Sequence, residues 1–252
     1  MAPPTPASED ELGPRPTAGR VFEGSRRVRL GDVSPGGRLR LDAVTRYLQD
    51  VSADDTADAA LPDAEAWVVR RTVIEVHQFP RYLEPLALAT WCSGTGSHYA
   101  ERRVQMVGEA GGRVEGASLW VHVDMASGRP RRLGEAFDAM YAEAAGGRRV
   151  KARRLHGDPS AGATGSPWVL RFTDFDVLQH VNNAAYWEVV EEVLATRRDV
   201  RAPLRAELEH RVAVERGAAV EVVTEPVDGS GLAMWIVADG AVAATARVTP
   251  LG

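Results

Sequence analysis

An aspartate, a histidine and two asparagines stand close together in Arg171–Glu192, R-F-T-D-F-D-V-L-Q-H-V-N-N-A-A-Y-W-E-V-V-E-E. The run begins as strand-like alternation and passes through a polar loop. It then takes helical spacing in Ala185, Val189 and Val193 and in Tyr186, Val190 and Leu194. Asp176 and His180 are thereby expected to flank the start of a helix, where unpaired backbone N–H groups and a partial positive charge can stabilise an oxyanion. There Asp176 can attack a carbonyl carbon or activate a water, and His180 can orient that water or stabilise the charge that develops. Asn182 and Asn183 add amides that cap the helix, hold the loop or meet a bound substrate. Taken singly, each residue also has an ordinary use, as an N-cap, a half-buried histidine or a turn former. It is the ordered string that points to chemistry.

The elements that position this turn occur twice. In the first half, strand-like alternation from Val21 leads through Ser34-Pro35-Gly36-Gly37 into a helix predicted over Leu39–Ser52, with Leu41, Val44, Tyr47, Leu48 and Val51 on one face. A linker is expected over Ala53–Ala64. Strands are predicted at Trp67–Val76, Leu86–Ser93, Glu101–Val107 and Arg113–Val123, the last two joined by a Gly111-Gly112 turn. In the second half strands are expected at Ala206–Val214, Ala219–Glu225, Ala233–Ala238 and Ala241–Thr249. Laying the first half on the second places Arg29 on Arg171, Asp32 on Asp174, Val44 on Tyr186 and Leu48 on Val190. Ser34 and Arg38 then fall where the second copy has Asp176 and His180. Only the second copy has an acid/base pair, so the first is expected to line a pocket, with Val44, Tyr47 and Leu48 as candidates for pocket or core.

Composition narrows the classes. A chain of 252 residues that is 44% hydrophobic can build one large or two ordinary cores, and a net charge of −5 gives no reason to expect nucleic acid or an anionic membrane as partner. Cys92 is the single cysteine, which excludes an internal disulfide and a cysteine metal cluster and fits a cytoplasmic protein. No apolar run is long enough to span a bilayer. Residues 1–20, rich in Pro, Ala, Thr and acidic residues, are expected to form a disordered tail. The connection over residues 126–165 is rich in Gly and Arg. Arg129, Arg131, Arg132, Arg148, Arg149, Lys151, Arg153 and Arg154 in it are read either as a landing site for an acidic or phosphorylated partner or as a solvated linker, with a short helix near Leu133–Ala145.

D-F-D-V-L-Q-H-V-N-N-A-A-Y-W resembles the D-x-D-x-x-x-H-V-N-N-x-x-Y signature of hotdog-fold thioesterases, and the chain from about Val21 onward resembles the plant and bacterial acyl-ACP thioesterases. A second likeness lies in W-V-V-R-R-T-V-I-E-V-H-Q-F-P-R-Y, Trp67–Tyr82. The resemblance implies an α+β double hotdog, with an acyl-binding hotdog over residues 21–125 and a catalytic one over 166–252. It implies Asp176 and His180 as catalytic residues and hydrolysis of an acyl carrier protein or coenzyme A thioester, with no metal or organic cofactor. Two positions depart from the family: Leu178 stands for an asparagine, and Ala213 falls where the family has a glutamate, with Glu209 and Glu215 on the same face if that stretch is a strand. These departures keep a non-catalytic acyl-thioester binding protein in view as the alternative. A hotdog dehydratase fits the D-x-D-x-x-x-H-V-N-N string less well. The chain is compatible with a monomer or a homodimer.

Overall fold

The structure, a computed structural model, describes residues 12–61, 66–124, 126–197, 199–227 and 229–251. The first half contains strand β1 (Phe22–Arg27), helix α1 (Leu41–Ala59) and strands β2 (Ala66–Gln78), β3 (Pro85–Thr95), β4 (Tyr99–Gly108) and β5 (Arg113–Val123). Helix α2 (Glu135–Ala145) lies in the connection. The second half repeats the series as β6 (Ser166–Trp168), α3 (Ala185–Ala195), β7 (Leu204–His210), β8 (Val220–Pro226), β9 (Leu232–Ala238) and β10 (Ala241–Pro250). The strands form one antiparallel sheet in the order β1-β3-β4-β5-β2-β7-β10-β9-β8-β6. That order reads the same from either edge once β1–β5 are matched to β6–β10, with β2 and β7 meeting at the centre. Each half is a sheet wrapped on its own helix, and the fold is an α+β double hotdog.

Alternation along the strands decides what the two faces carry. Leu204, Ala206 and Leu208 of β7 and Ile74 and Val76 of β2 face the helices and join one core with Val44, Leu48, Val189 and Val190. Leu48 rests directly on Gly116, where a Cβ would come within 2.6 Å of the leucine. The opposite face of the seam is a charge ladder. Arg205 binds Glu75 and Glu207 at 2.6 Å each, and Arg71 lies 4.0 Å from Glu209. The connection crosses this ladder: Glu209 accepts the N–H groups of Leu155 and His156, and the His156 ring lies between Thr245 and Glu207 at 3.1 Å each.

Helix α1 continues to Ala59, past the expected end at Ser52. Its polar last turns stay helical because buried Asp55 is held by Arg20 at 2.7 Å, by Arg102 and by the Tyr141 hydroxyl at 3.0 Å. The same contacts tie down part of the expected tail. Arg20 also binds Asp58, and Arg103 donates to the carbonyl of Gly13, so residues 12–20 lie against the first half. Residues 1–11 fall outside the described ones.

The two helices are coupled by one carboxylate. Helix α1 starts with no side-chain cap of its own; instead Glu191 of α3 accepts the Leu41 N–H at 2.6 Å and both guanidinium nitrogens of Arg38 at 2.8 and 2.7 Å. Truncating one member of a pair this buried leaves the other charge desolvated, so Glu191→Ala is expected to lower unfolding stability by about 3 kcal/mol in urea titrations. Glu191→Gln, which keeps an acceptor for Leu41, should lose less. A loss near zero for Glu191→Ala would mean that water replaces the carboxylate.

At the end of β7 the His210 ring meets Tyr186 edge-on, with centroids 4.9 Å apart, and its Nε2 is buried without a hydrogen-bond partner among the described residues. Burial, and then the charge of Arg70, push this imidazole down from 6.5 to about 4. The unfolded chain therefore takes up the proton first as pH falls, and His210 subtracts stability progressively from pH 6.5 down to about 4. His210→Leu should flatten that part of the stability–pH curve, removing on the order of 3 kcal/mol of acid destabilisation in urea unfolding followed across the window.

Candidate active site

The loop before α3 is a miniature hairpin. The N–H of Asp176 donates to the carbonyl of His180 at 2.9 Å, Phe175 pairs with Val181, and the N–H of Asn182 donates to the carbonyl of Asp174 at 2.7 Å. A third segment completes it: Val181 N–H donates to the Val214 carbonyl at 3.0 Å, and His180 pairs with Glu215. Residues directly opposite in an antiparallel ladder project to one face, as do residues two apart. Asp176, His180, Asn182 and Glu215 therefore share a face, while Phe175 and Val181 pack against the core on the other. The chain passes the tip with Gln179 in the left-handed region (φ 64°), where the equivalent residue of the first half is Gly37 (φ 76°).

The carboxyl groups divide their tasks. Asp174 is buried and holds the backbone and guanidinium of Arg171. Asp176 is half-buried and uses one oxygen, Oδ1, to accept the N–H groups of Leu178 at 2.8 Å and His180 at 3.4 Å. Its Oδ2 has no hydrogen-bond partner among the described residues. Beside it Tyr186 is buried; burial pushes its phenol up to about 12, and the charge of Asp176 adds to the rise. That side chain stays protonated.

The sequence points to backbone N–H groups at the start of α3 as oxyanion donors, and the structure narrows the choice among Asn182, Asn183 and Ala184. Asn182 N–H is taken by Asp174, and Ala184 N–H by Asn182's own Oδ1 at 2.8 Å. Asn183 N–H alone of the three has no partner among the described residues.

Asn182 forms one wall of a half-open cleft of about 590 Å³. Helix α1 forms another through Gln49, Ser52, Ala53, Thr56 and Ala57; Trp67, Cys92 and Trp120 lie on the sheet, and Phe137 and Tyr141 of α2 close it. That volume is within the usual range for small-molecule sites, about 300–1,000 Å³. The hydroxyls of Ser52 and Thr56 are turned back to the helix carbonyls of Leu48 and Ser52, so both residues offer mainly carbon to the cleft. Arg102 and Glu101 are engaged by Asp55 and by Ser93 and Arg148. Burial pushes the Cys92 thiol up to about 11, so it remains a neutral thiol wall.

Three of the anticipated pocket residues lie elsewhere. Val44, Tyr47 and Leu48 are fully packed in the core and do not line the cleft, and the Tyr47 hydroxyl is bound to Asp32 at 2.6 Å. The cleft uses the neighbouring stripe of the same helix, whose small and polar residues at 49, 52, 53, 56 and 57 were themselves a helical-period signal. Ala213 is not in a strand, because β7 ends at His210. Glu209 faces the ladder on the far side of the sheet, and Glu215 is the carboxylate in register with His180.

The first half has the same turn with other side chains. Ser34 N–H donates to Arg38 carbonyl, Val33 pairs with Leu39, Arg40 N–H donates to Asp32, and Arg38 pairs with Arg81. Ser34, Arg38 and Arg81 thus occupy the places of Asp176, His180 and Glu215.

Comparison with known proteins agrees with this architecture. Residues 19–141 match the family model of the acyl-ACP thioesterase N-terminal domain, and residues 159–248 that of the C-terminal domain. An uncharacterised protein of Mycobacterium tuberculosis is 34% identical over 226 residues, covering 89% of this chain and 90% of its own. Among solved structures, a protein named as an oleoyl thioesterase from Lactobacillus plantarum superposes with a TM-score of 0.76 at 19% identity, over 91% of this chain and 94% of its own. An acyl-ACP thioesterase from Bacteroides thetaiotaomicron gives 0.73 at 16% identity, over 90% and 96%. The 12:0-ACP thioesterase of Umbellularia californica gives 0.72 at 21%, over 90% and 96%. These three likenesses speak to the fold. The two family models, which together span nearly all of the described chain, place it in the acyl-ACP thioesterase family.

Proposed function

We propose that the protein hydrolyses the thioester of an acyl carrier protein, or of coenzyme A, with Asp176 as the reacting carboxylate. The observation that carries this is the unengaged Oδ2 of Asp176 on the same face as Asn182, roughly 7 Å across the hairpin ladder from the wall of the apolar cleft. An acyl chain lying in the cleft brings its carbonyl carbon to the start of α3, where the free Asn183 N–H and the helix dipole favour negative charge on the carbonyl oxygen. Asp176 then takes a proton from a water that attacks that carbon, or attacks it directly to form an anhydride that water opens. In either case the C–S bond breaks, the thiolate leaves and takes up a proton, and a carboxylic acid remains. His180 holds the water or faces the charge that develops.

Glu215 is assigned the part of the family glutamate that Ala213 lacks, because its backbone pairs with His180 and sets both side chains on one face. Leu178 is 56% exposed and its N–H, not its side chain, supports Asp176. A leucine there is compatible with the turn. The exposed cations of the 126–165 connection, Arg129, Arg131, Arg132, Arg149, Lys151, Arg153 and Arg154, remain the proposed contact for an acidic carrier or for phosphates, whereas Arg148 is occupied by Glu101.

The test is free-thiol release from acyl carrier protein and coenzyme A thioesters. Asp176→Asn is expected to lower kcat by about 10²–10⁴ with ligand binding retained, and Glu215→Gln to lower it less. Acyl ligand bound without thiol release by the native protein would replace hydrolysis with the binding role.

A further inference from the structure

We propose that helix α2, in the connection between the two hotdog halves, is the end-stop that limits the length of acyl chain the cleft accepts, through Phe137 and Tyr141. This rests on the acyl-thioester reading of the cleft and goes beyond it by assigning length selection to a segment outside both hotdog sheets.

Three observations lead there. First, α2 buries Phe137, Tyr141, Ala144 and Ala145, and Phe137, Tyr141 and Ala145 form with Ala59, Cys92 and Ala100 a separate apolar cluster packed against Leu61 and Trp67. Phe137 lies 5.4 Å from Trp67 and 4.9 Å from Tyr141 between ring centroids, so the end of the cleft is a continuous aromatic wall. Second, that wall is fixed. The Tyr141 hydroxyl is bound to Asp55, which Arg20 and Arg102 also hold, and after α2 the chain closes on β3, where a Cβ at Gly94 would meet Val150 at 2.7 Å. Third, the wall stands a defined distance from the reacting end. Glu191 binds the Leu41 N–H, Gln49 lies eight residues after Leu41 and Asn182 nine before Glu191, and both line the cleft, so Gln49 marks its reacting end. From Gln49 to Ala59, which touches the aromatic cluster, is ten residues, or about 15 Å of helix rise. An extended alkyl chain, whose C–C bonds of about 1.5 Å advance by somewhat less in a zigzag, spans that distance with roughly a dozen carbons.

The experiment uses the full chain and two variants that alter the cleft in opposite senses. Phe137→Ala removes the wall, and Ala57→Leu fills the cleft from an exposed position on α1 where leucine costs the helix little. Thiol release is followed over saturated acyl carrier protein thioesters of even chain length, and displacement of a fluorescent fatty acid by free fatty acids of the same lengths is measured alongside. The native protein should peak at about a dozen carbons, Phe137→Ala should move the optimum about two to four carbons longer, and Ala57→Leu should cost the native optimum at least about tenfold relative to shorter chains. If Phe137→Ala does not fold, Ala57→Leu carries the test. Unchanged length profiles in a folded variant overturn the end-stop. Shifted displacement profiles without thiol release in any form uphold it and instead overturn hydrolysis.

Discussion

The carboxylate of Glu191 is the contact on which the site depends. It leaves water to bind a backbone N–H of one helix and a guanidinium beside it, all supplied by the opposite half of the chain. A buried carboxylate tolerates only a narrow set of arrangements, since any that leaves it unpaired costs several kcal/mol. The register of α1 against α3 is therefore set, and with it the position of Gln49 beside Asn182. The cleft has walls from both halves and a reacting turn from one. Neither half could form it alone.

The turn is repeated in the two halves with the same backbone and different side chains. The same hydrogen bonds close both hairpins, and both tips require a left-handed residue. At three positions that share a face, Asp176, His180 and Glu215 correspond to Ser34, Arg38 and Arg81 in the other copy. Arg38 has no free charge to offer, being spent on Glu191. In the first half the turn is part of the helix clamp, and the acid/base work proposed for this fold falls to the second.

Much of this was legible in the sequence because it rests on local pattern. The strand–turn–helix order of Arg171–Glu192, the alternation of the strands and the repeat all depend on neighbours in the chain, and Arg113–Val123 has the predicted ends. The misses share one cause, which is contact between distant residues. Asp54, Asp55 and Asp58 look like a linker until Arg20 and Arg102 are seen beside Asp55 and its neighbours. Glu209 and Glu215 are equivalent on paper, and only the end of β7 at His210 separates a strut on the far face from a partner of His180. The apolar stripe of α1 reads as pocket or core, and the structure makes it core. In fact a face packed that well has no room left, and the space lies beside the stripe of alanines and inward-turned hydroxyls.

That separation of a packed face from an open one has an energetic consequence for the proposed reaction. An alkyl chain in the cleft removes apolar surface from water at about 25 cal/mol per Å², well away from the bond that reacts. Binding energy of this remote kind accelerates chemistry only if it is used to place the carbonyl where charge will develop. The placement is made by parts that do not yield: Asn182 is held at both its N–H and its Oδ1, Asp176 is held by Oδ1, and α2 blocks the far end. A chain that reaches the aromatic wall before its carbonyl reaches Asn183 is bound but misaligned, and one too short to reach the wall is aligned but weakly held. Length selection and catalytic alignment are on this account the same constraint, felt at the two ends of one cleft.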